Sequence, residues 1–261
     1  MITFCSDFGA TDPYAAIVKG VILSINPDAE IIDLSHDLAA HDVRRAAVFV
    51  ASACPVFPPG TIHLSVIDPG VGTNRKPILL KTERGFFVGP DNGLFGLIWQ
   101  NSKKKKAYWL RNKKYFFAGT GRTFDARDIF GPAAAYLSLG IAPEEFGPVL
   151  NSINLLRFPG PVEQTPARGK GQRFLGEIIY IDRFGNLVTN FPYRLLQRKH
   201  IEMKVGSRTM RGLAPNYASI PKGKMALILG SLGYLEIAGN VESAQKLLKA
   251  KIGTKVELAL L

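Results

Sequence analysis

Hydrophobic positions along this chain fall into two regimes. Up to about residue 158, short apolar runs alternate with segments of helical period; beyond it, β-like runs follow one another between glycines and basic turns. "MITFCSDF" predicts a first strand. Asp12 then caps a helix with Pro13 at its first position, and that helix stops near Asn26-Pro27. "AEIIDLS" predicts the next strand, and "DVRRAAVFVASAC" the next helix, ended by Pro55. "TIHLSVID" is nearly all apolar, as a central parallel strand covered on both faces has to be. "GFFVGPDNGLF" reads as a strand and a Pro-Asp-Asn-Gly turn, and "DIFGPAAAYLSLG" as a further helix. The alternation predicts a doubly wound α/β domain over residues 1–158.

"FPGPVEQTPARGKGQ" breaks the pattern with Pro, Gly and polar residues, which predicts a linker across residues 159–172. Over 173–261 the runs "GEIIYID", "LVTNF", "IEMKVG", "KMALILG", "YLEIAG" and "KVELALL" predict a smaller antiparallel β-barrel domain. Only "VESAQKLLKAK" has a helical period there.

With 261 residues, 46% hydrophobic and 21% charged, the chain can bury a large core, as one large domain or two modest ones. No apolar run approaches the roughly 20 residues of a membrane span. Met1 leads straight into "ITFCSDFG" with no basic stretch before an apolar one, so no membrane partner and a cytoplasmic location are expected. Cys5 and Cys54 lie in apolar segments outside any C-x-x-C pair and are expected to be reduced and buried. His36, His41, His63 and His200 form no H-E-x-x-H or H-x-H cluster, so no metal site is predicted.

A net charge of +12 and a pI near 9.7 bring in polyanions. The densest run, "KKKKAYWLRNKKYFF" from Lys103 to Phe117, alternates lysines with aromatics as a single-strand nucleic-acid groove does. The simpler reading, a solvated lysine-rich loop followed by a strand whose aromatics point inward, is preferred. No helix-turn-helix or RNP-like segment accompanies the run.

Ligands of an open α/β sheet gather beyond the carboxyl ends of its strands. Asp7 closes the first predicted strand and Asp68 the third. A carboxylate there can accept both hydroxyls of a ribose, or it can simply cap a loop. The glycines after Asp68 let backbone approach a ligand closely. This loop lacks the Lys-Ser/Thr of a phosphate loop and carries Arg75 seven residues beyond Asp68 instead.

"SDFGATDPYAAIVKG", "VIDPGVGTNRKP", "VGPDNGLFG", "RTFDARDIFGPAAAY", "YIDRFGNLVTNF" and "GSLGYLEIAGN" run in this order over nearly the whole chain. Together they resemble the S-adenosyl-L-methionine (SAM) hydroxide adenosyltransferases, hydrolytic relatives of the fluorinating and chlorinating SAM enzymes. The resemblance implies an α/β domain, a β-barrel domain, and a homotrimer with SAM between domains of neighbouring subunits. It implies the reaction of SAM with water to give adenosine and L-methionine, with SAM as substrate and no cofactor. It assigns Asp68 and Arg75 to catalysis, Asp7 to the ribose hydroxyls with Asp12 nearby, and Asp182 to the methionine ammonium. Asn186 would meet a polar edge of the ligand, Ser231 the methionine carboxylate, and Glu236 and the Ala238–Asn240 stretch the rest of the ligand, adenine included. Without it, "DRFGN" reads as a tight turn capped by Asp182 and Asn186.

One departure stands out. The family's catalytic histidine falls at Asp125, which is the third catalytic position here, and Ala126 replaces the halide-contacting serine of the fluorinating relatives. A carboxylate can still pair with Arg75 and hold water, with His36 as an alternative base. A SAM- or adenosine-binding protein with little catalysis is the competing expectation.

Overall fold

In the computed structural model, which describes residues 1–117, 123–156, 158, 160–164, 171–196 and 200–261, the N-terminal alternation becomes a seven-stranded sheet. The first of two units, Met1–Leu156, runs β1 (Ile2–Ser6), α1 (Tyr14–Ile25), β2 (Ile31–Ser35), α2 (Val43–Ala53), β3 (Thr61–Val66), β4 (Pro77–Thr82), β5 (Gly85–Pro90), α3 (Gly96–Asn101), β6 (Lys105–Trp109), α4 (Gly131–Ser138) and β7 (Val149–Leu150). The strand order is β2-β1-β3-β5-β4-β6-β7. Its first four strands pair in parallel, and β4, β6 and β7 extend it antiparallel.

β1 and β3 are buried along their whole lengths, so both faces must be covered. Alternate side chains point to opposite faces. Ile2, Phe4, Ile62, Leu64 and Val66 share one core with Val18 and Ile22 of α1 and Ala133, Ala134 and Leu137 of α4. Each fully buried large side chain there contributes about 1.5–3 kcal/mol. The intervening residues satisfy one another: Thr3 Oγ1 and His63 Nδ1 lie 2.8 Å apart, and Cys5 Sγ donates to Ser65 Oγ at 3.3 Å. Burial holds His63 down at about 4 and pushes the Cys5 thiol up to about 12, with Cys54 raised as well. These groups are neutral at physiological pH.

The chain passes from β1 outward to β2, then back across β1 to β3. That reversal opens a crevice beyond the carboxyl ends of β1 and β3.

Two local expectations change. The first carbonyl to accept a bond from α1 is that of Pro13, from Ile17 N at 2.9 Å, so Pro13 and not Asp12 occupies the capping position, and no side chain caps this end. β4 and β6 are strands that local pattern hides, since β4 begins at a proline and β6 at two lysines. The lysine-aromatic run is divided by the fold: Tyr108 and Tyr115 are buried, Lys76 and Arg111 both lie over the Trp109 ring, and Glu83 accepts from the Lys103 and Lys104 amides.

The second unit, Arg157–Leu261, runs β8 (Val162–Gln164), β9 (Gln172–Ile181), β10 (Leu187–Pro192), β11 (Ile201–Val205), β12 (Arg208–Arg211), β13 (Met225–Leu229), β14 (Tyr234–Gly239), α5 (Ala244–Leu248) and β15 (Lys255–Leu260). All pairings are antiparallel in the order β12-β11-β15-β9-β10-β14-β13, with β8 added on β9. The terminal strands β12 and β13 touch, which nearly closes the sheet into a barrel. Along β15, Val256, Leu258 and Leu260 enter the core while Lys255 and Glu257 face outward. β8 lies inside the stretch that composition assigns to a linker; residues 159 and 165–170 of that stretch fall outside the described residues. Ser243 caps the short α5, which stops at Lys249 in the left-handed region. No helix among the described residues is long and apolar enough to cross a membrane.

Candidate active site

Beyond β3 the chain folds back through two consecutive turns, with Val71 N donating to Asp68 O and Thr73 N to Gly70 O. Gly72 adopts φ +77°, a conformation only glycine reaches without strain. This reversal returns Arg75 to Asp68. Arg75 Nε donates to both Asp68 carboxylate oxygens at 2.9 Å, and Nη2 also binds Oδ2. The Pro-Asp-Asn-Gly turn after β5 braces the loop at both ends: Asn92 Nδ2 donates to Ile67 O at 2.8 Å, and Asp91 N to Lys76 O at 2.9 Å.

Arg75 Nη2 also donates to Asp125 Oδ2 at 2.5 Å. Asp125 opens a π-helical turn, Ala126–Phe130, that leads into α4, and the Phe130 ring lies 5.3 Å from the guanidinium carbon. All three charged side chains are largely buried. Burial disfavours the charged guanidinium, but the hydrogen bonds and charges of Asp68 and Asp125 outweigh it and hold Arg75 above its ordinary range. Arg75 is therefore a fixed cation that stabilises negative charge and accepts no proton.

Asp7, Asp68 and Asp125 line one cavity of about 260 Å³ in this unit, together with Tyr14, His41 and Phe124. Phe8, Tyr14 and Phe124 meet edge to face at 5.5–5.9 Å and form its apolar wall. Asp7 Oδ2 accepts from the His41 amide at 2.9 Å. Asp12 is exposed and does not line the cavity. His36 does not line it either; its Nδ1 pairs with Ser6 Oγ at 2.7 Å, and its Nε2 lies 3.1 Å from Asp33, so His36 is not placed to serve as the base. Sequence reasoning overlooked the aromatic wall and His41, although Phe8 and Phe124 lie inside the motifs "SDFG" and "RTFDARD".

The second unit carries its own cavity, of about 670 Å³, lined by Asp182, Asn186, Tyr217, Ser231, Asn240 and Lys246 among others. Asp182 Oδ1 accepts from Phe184 N and Asn186 N, and Oδ2 from Asn186 Nδ2, all within 2.9 Å. The turn-capping roles of "DRFGN" are thus real, and the same residues still line the cavity. Gly185, at φ +82°, has Ser243 Oγ where a Cβ would collide, so the turn requires glycine. Asn186 Oδ1 accepts from Gly239 N at 3.3 Å and ties the turn to β14. Ala238 is buried in β14 and does not line the cavity, whereas Gly239 and Asn240 do. Glu236 is buried and does not line the cavity. Desolvation, with repulsion from Asp182, pushes its carboxyl up to about 7 against the lowering effect of its bond from Tyr217.

A folded-state value above the ordinary one means that the unfolded chain releases this proton first. The resulting stabilisation is complete below about 4.5 and is lost as pH rises through about 7. Glu236→Gln should therefore weaken the fall in Tm between pH 5 and pH 8 by about 3 °C, the shift ~1 kcal/mol produces in a chain of this size. Thermal melts of parent and variant across this range check it; parallel curves would show that Glu236 is charged throughout.

Among the described residues, no cluster of three His, Cys, Asp or Glu side chains is placed to hold a metal ion. Fold and site define a two-unit protein: an α/β sheet with an acid–guanidinium–acid set at its switch point, followed by a barrel-like unit with a polar cavity. Family models for the SAM hydroxide adenosyltransferase N-terminal domain match residues 2–147, and those for its C-terminal domain match residues 176–257. The chain belongs to the SAM hydroxide adenosyltransferase family. It is 38% identical to an (R)-S-adenosyl-L-methionine hydrolase of Thermus thermophilus over 98% of each chain, and 33% identical to one of Salinispora tropica over 98% of this chain and 97% of that one. The crystal structure of an uncharacterized conserved protein from Thermotoga maritima superimposes with a TM-score of 0.90 at 34% identity, over 99% of each chain.

Proposed function

We propose that this protein hydrolyses SAM by attack of water on ribose C5′, giving adenosine and L-methionine. The observation that carries the reading is that Asp68 and Asp125, both bound to Arg75, line the same cavity as Asp7. The sulfonium activates all three adjoining carbons, so the carbon that faces the nucleophile decides the product. The leaving thioether is neutral and needs no general acid. Water, with a pKa near 15.7, is a poor nucleophile at neutral pH, and the site must hold it in line with the C–S bond. Well-oriented attack gains about 7–11 kcal/mol over a bimolecular reaction. In this reading Asp68 and Asp125 orient water, Arg75 stabilises developing hydroxide, and Asp7 accepts the ribose hydroxyls. Asp182, Asn186, Ser231 and the Gly239–Asn240 backbone serve the methionine and adenine ends. Halogenation is disfavoured, because two carboxylates flank the guanidinium and Ala126 offers no hydroxyl to a halide.

A second reading, a SAM- or adenosine-binding protein with little catalysis, is favoured by one feature: residue 125 is a carboxylate already engaged by Arg75. Incubation with SAM separates the two. Adenosine and methionine in equal amounts support hydrolysis, whereas retained affinity without products supports the binder.

The assembly proposed is a closed homotrimer in the cytoplasm, each SAM bridging the first unit of one subunit and the second unit of a neighbour. The first unit's cavity, about 260 Å³, is below the ~300–1,000 Å³ usual for small-molecule sites, which supports a ligand shared between two half-sites. Light scattering should give three times the chain mass; a monomer with full SAM affinity contradicts it.

A further inference from the structure

The hydrolytic reading leaves one proton without an acceptor. Attack by water must release H⁺, Arg75 cannot take it, and both carboxylates are already bound to Arg75. Carboxylates as a class are weak bases, ordinarily near pKa 4, whereas imidazole, near 6.5, accepts protons readily at neutral pH.

His41 is the one histidine among the described residues that line the cavity. Its backbone lies at φ +62°, a left-handed conformation sparsely populated by residues other than glycine and costly unless its surroundings enforce it. Asp7 enforces it here, by accepting the His41 amide at 2.9 Å. Asp7, just past the carboxyl end of β1, thus ties down the loop that carries the exposed His41 in the lining of the cavity. Besides His41, the titratable groups lining the cavity are Asp7, Tyr14, Asp68 and Asp125, and of these only Asp7 contacts the His41 amide. Among the described residues, the ring nitrogens of His41 have no hydrogen-bond partner.

We propose that His41 is the proton acceptor of this site, replacing the imidazole that position 125 lacks. The inference rests on the SAM-hydrolase reading. A lone pair on the water oxygen forms the O–C5′ bond as the C5′–S bond breaks. The C–S bonding pair goes to sulfur, which converts the sulfonium into the neutral thioether of methionine. The water proton passes to His41 and then to solvent. No oxidant, reductant or further reactant is required.

The test uses His41→Asn, because Asn tolerates the left-handed region, and His41→Gly, because Gly adopts it freely and vacates the volume of the ring. SAM affinity is measured by calorimetry and adenosine formation in single turnovers. Both variants should bind SAM within about threefold of the parent and form adenosine about 100-fold more slowly, the usual effect of losing a general base. Millimolar imidazole should restore His41→Gly in proportion to its concentration and leave His41→Asn, whose side chain fills the space, slow. Parental rates in both variants overturn the inference alone. A slow His41→Gly that imidazole does not rescue also overturns it, by showing that the residue acts only through its backbone. If His41→Gly loses SAM binding, the rate of His41→Asn decides. A parent that forms no adenosine overturns the hydrolase reading, and this inference with it.

Discussion

Arg75→Ala is expected to lower turnover by about two to three orders of magnitude, the usual effect of removing a preorganised donor that stabilises developing negative charge. The same substitution leaves Asp68 and Asp125 facing each other in a largely buried site without their shared cation. Breaking a buried pair by removing one partner costs about 3–5 kcal/mol, so a loss of Tm should accompany the loss of activity. Arg75→Lys separates the two effects. A lysine keeps the charge but lacks the fork that binds Asp68 through two oxygens, so it should recover stability more fully than turnover. Thermal melts and single-turnover rates for both variants check this; an Arg75→Ala protein with the parent's turnover would remove Arg75 from the chemistry.

Asp125→His is expected to raise the hydrolysis rate about tenfold or more. It sets an imidazole against Arg75 in place of a carboxylate, and enzymes favour bases tuned near the working pH. Asp125→Asn asks the complementary question. If Asp125 serves to orient water and Arg75, the amide should leave SAM affinity within about tenfold, or ~1.4 kcal/mol, while changing turnover. The pair requires affinity and turnover to be determined separately. An Asp125→His protein as slow as the parent, beside an unaffected Arg75→Ala, would mean that water is activated elsewhere.

How much of this was legible in the sequence depended on range. β1 and β3 could be read because strands covered on both faces must be continuously apolar, and β15 because one covered on one face alternates. β4 could not, since its Ile-Leu-Leu core follows directly on a polar loop and a proline, and its place in the sheet depends on pairing with both β5 and β6. β8 and β12 are three and four residues long and mostly exposed, so their pattern is too short to register. Asp12 was misread as a cap because the first helical bond falls one residue later than composition indicates.

The site divides in the same way. Asp7 and Asp68 were visible at strand ends, because strand order alone dictates where ligands gather. The meeting of Asp68, Arg75 and Asp125 was visible only through family resemblance. Seven residues is neither a strand nor a helix spacing that pairs side chains by itself, and fifty separate Arg75 from Asp125. The turns at Val71 and Thr73 and the brace from Asn92 create that proximity. His41 carried no local signal at all; its significance comes from a backbone conformation and a contact with Asp7, 34 residues away.

The central claim is that water attacks C5′ of SAM in the cavity lined by Asp7, Asp68 and Asp125, and hydrolysis in oxygen-18 water tests it most directly. Attack at C5′ delivers the solvent oxygen to that carbon, so mass spectrometry should find the label in the 5′-hydroxyl of adenosine, with unlabelled methionine beside it. Unlabelled adenosine, or S-adenosylhomocysteine with a methylated product in its place, would contradict the account.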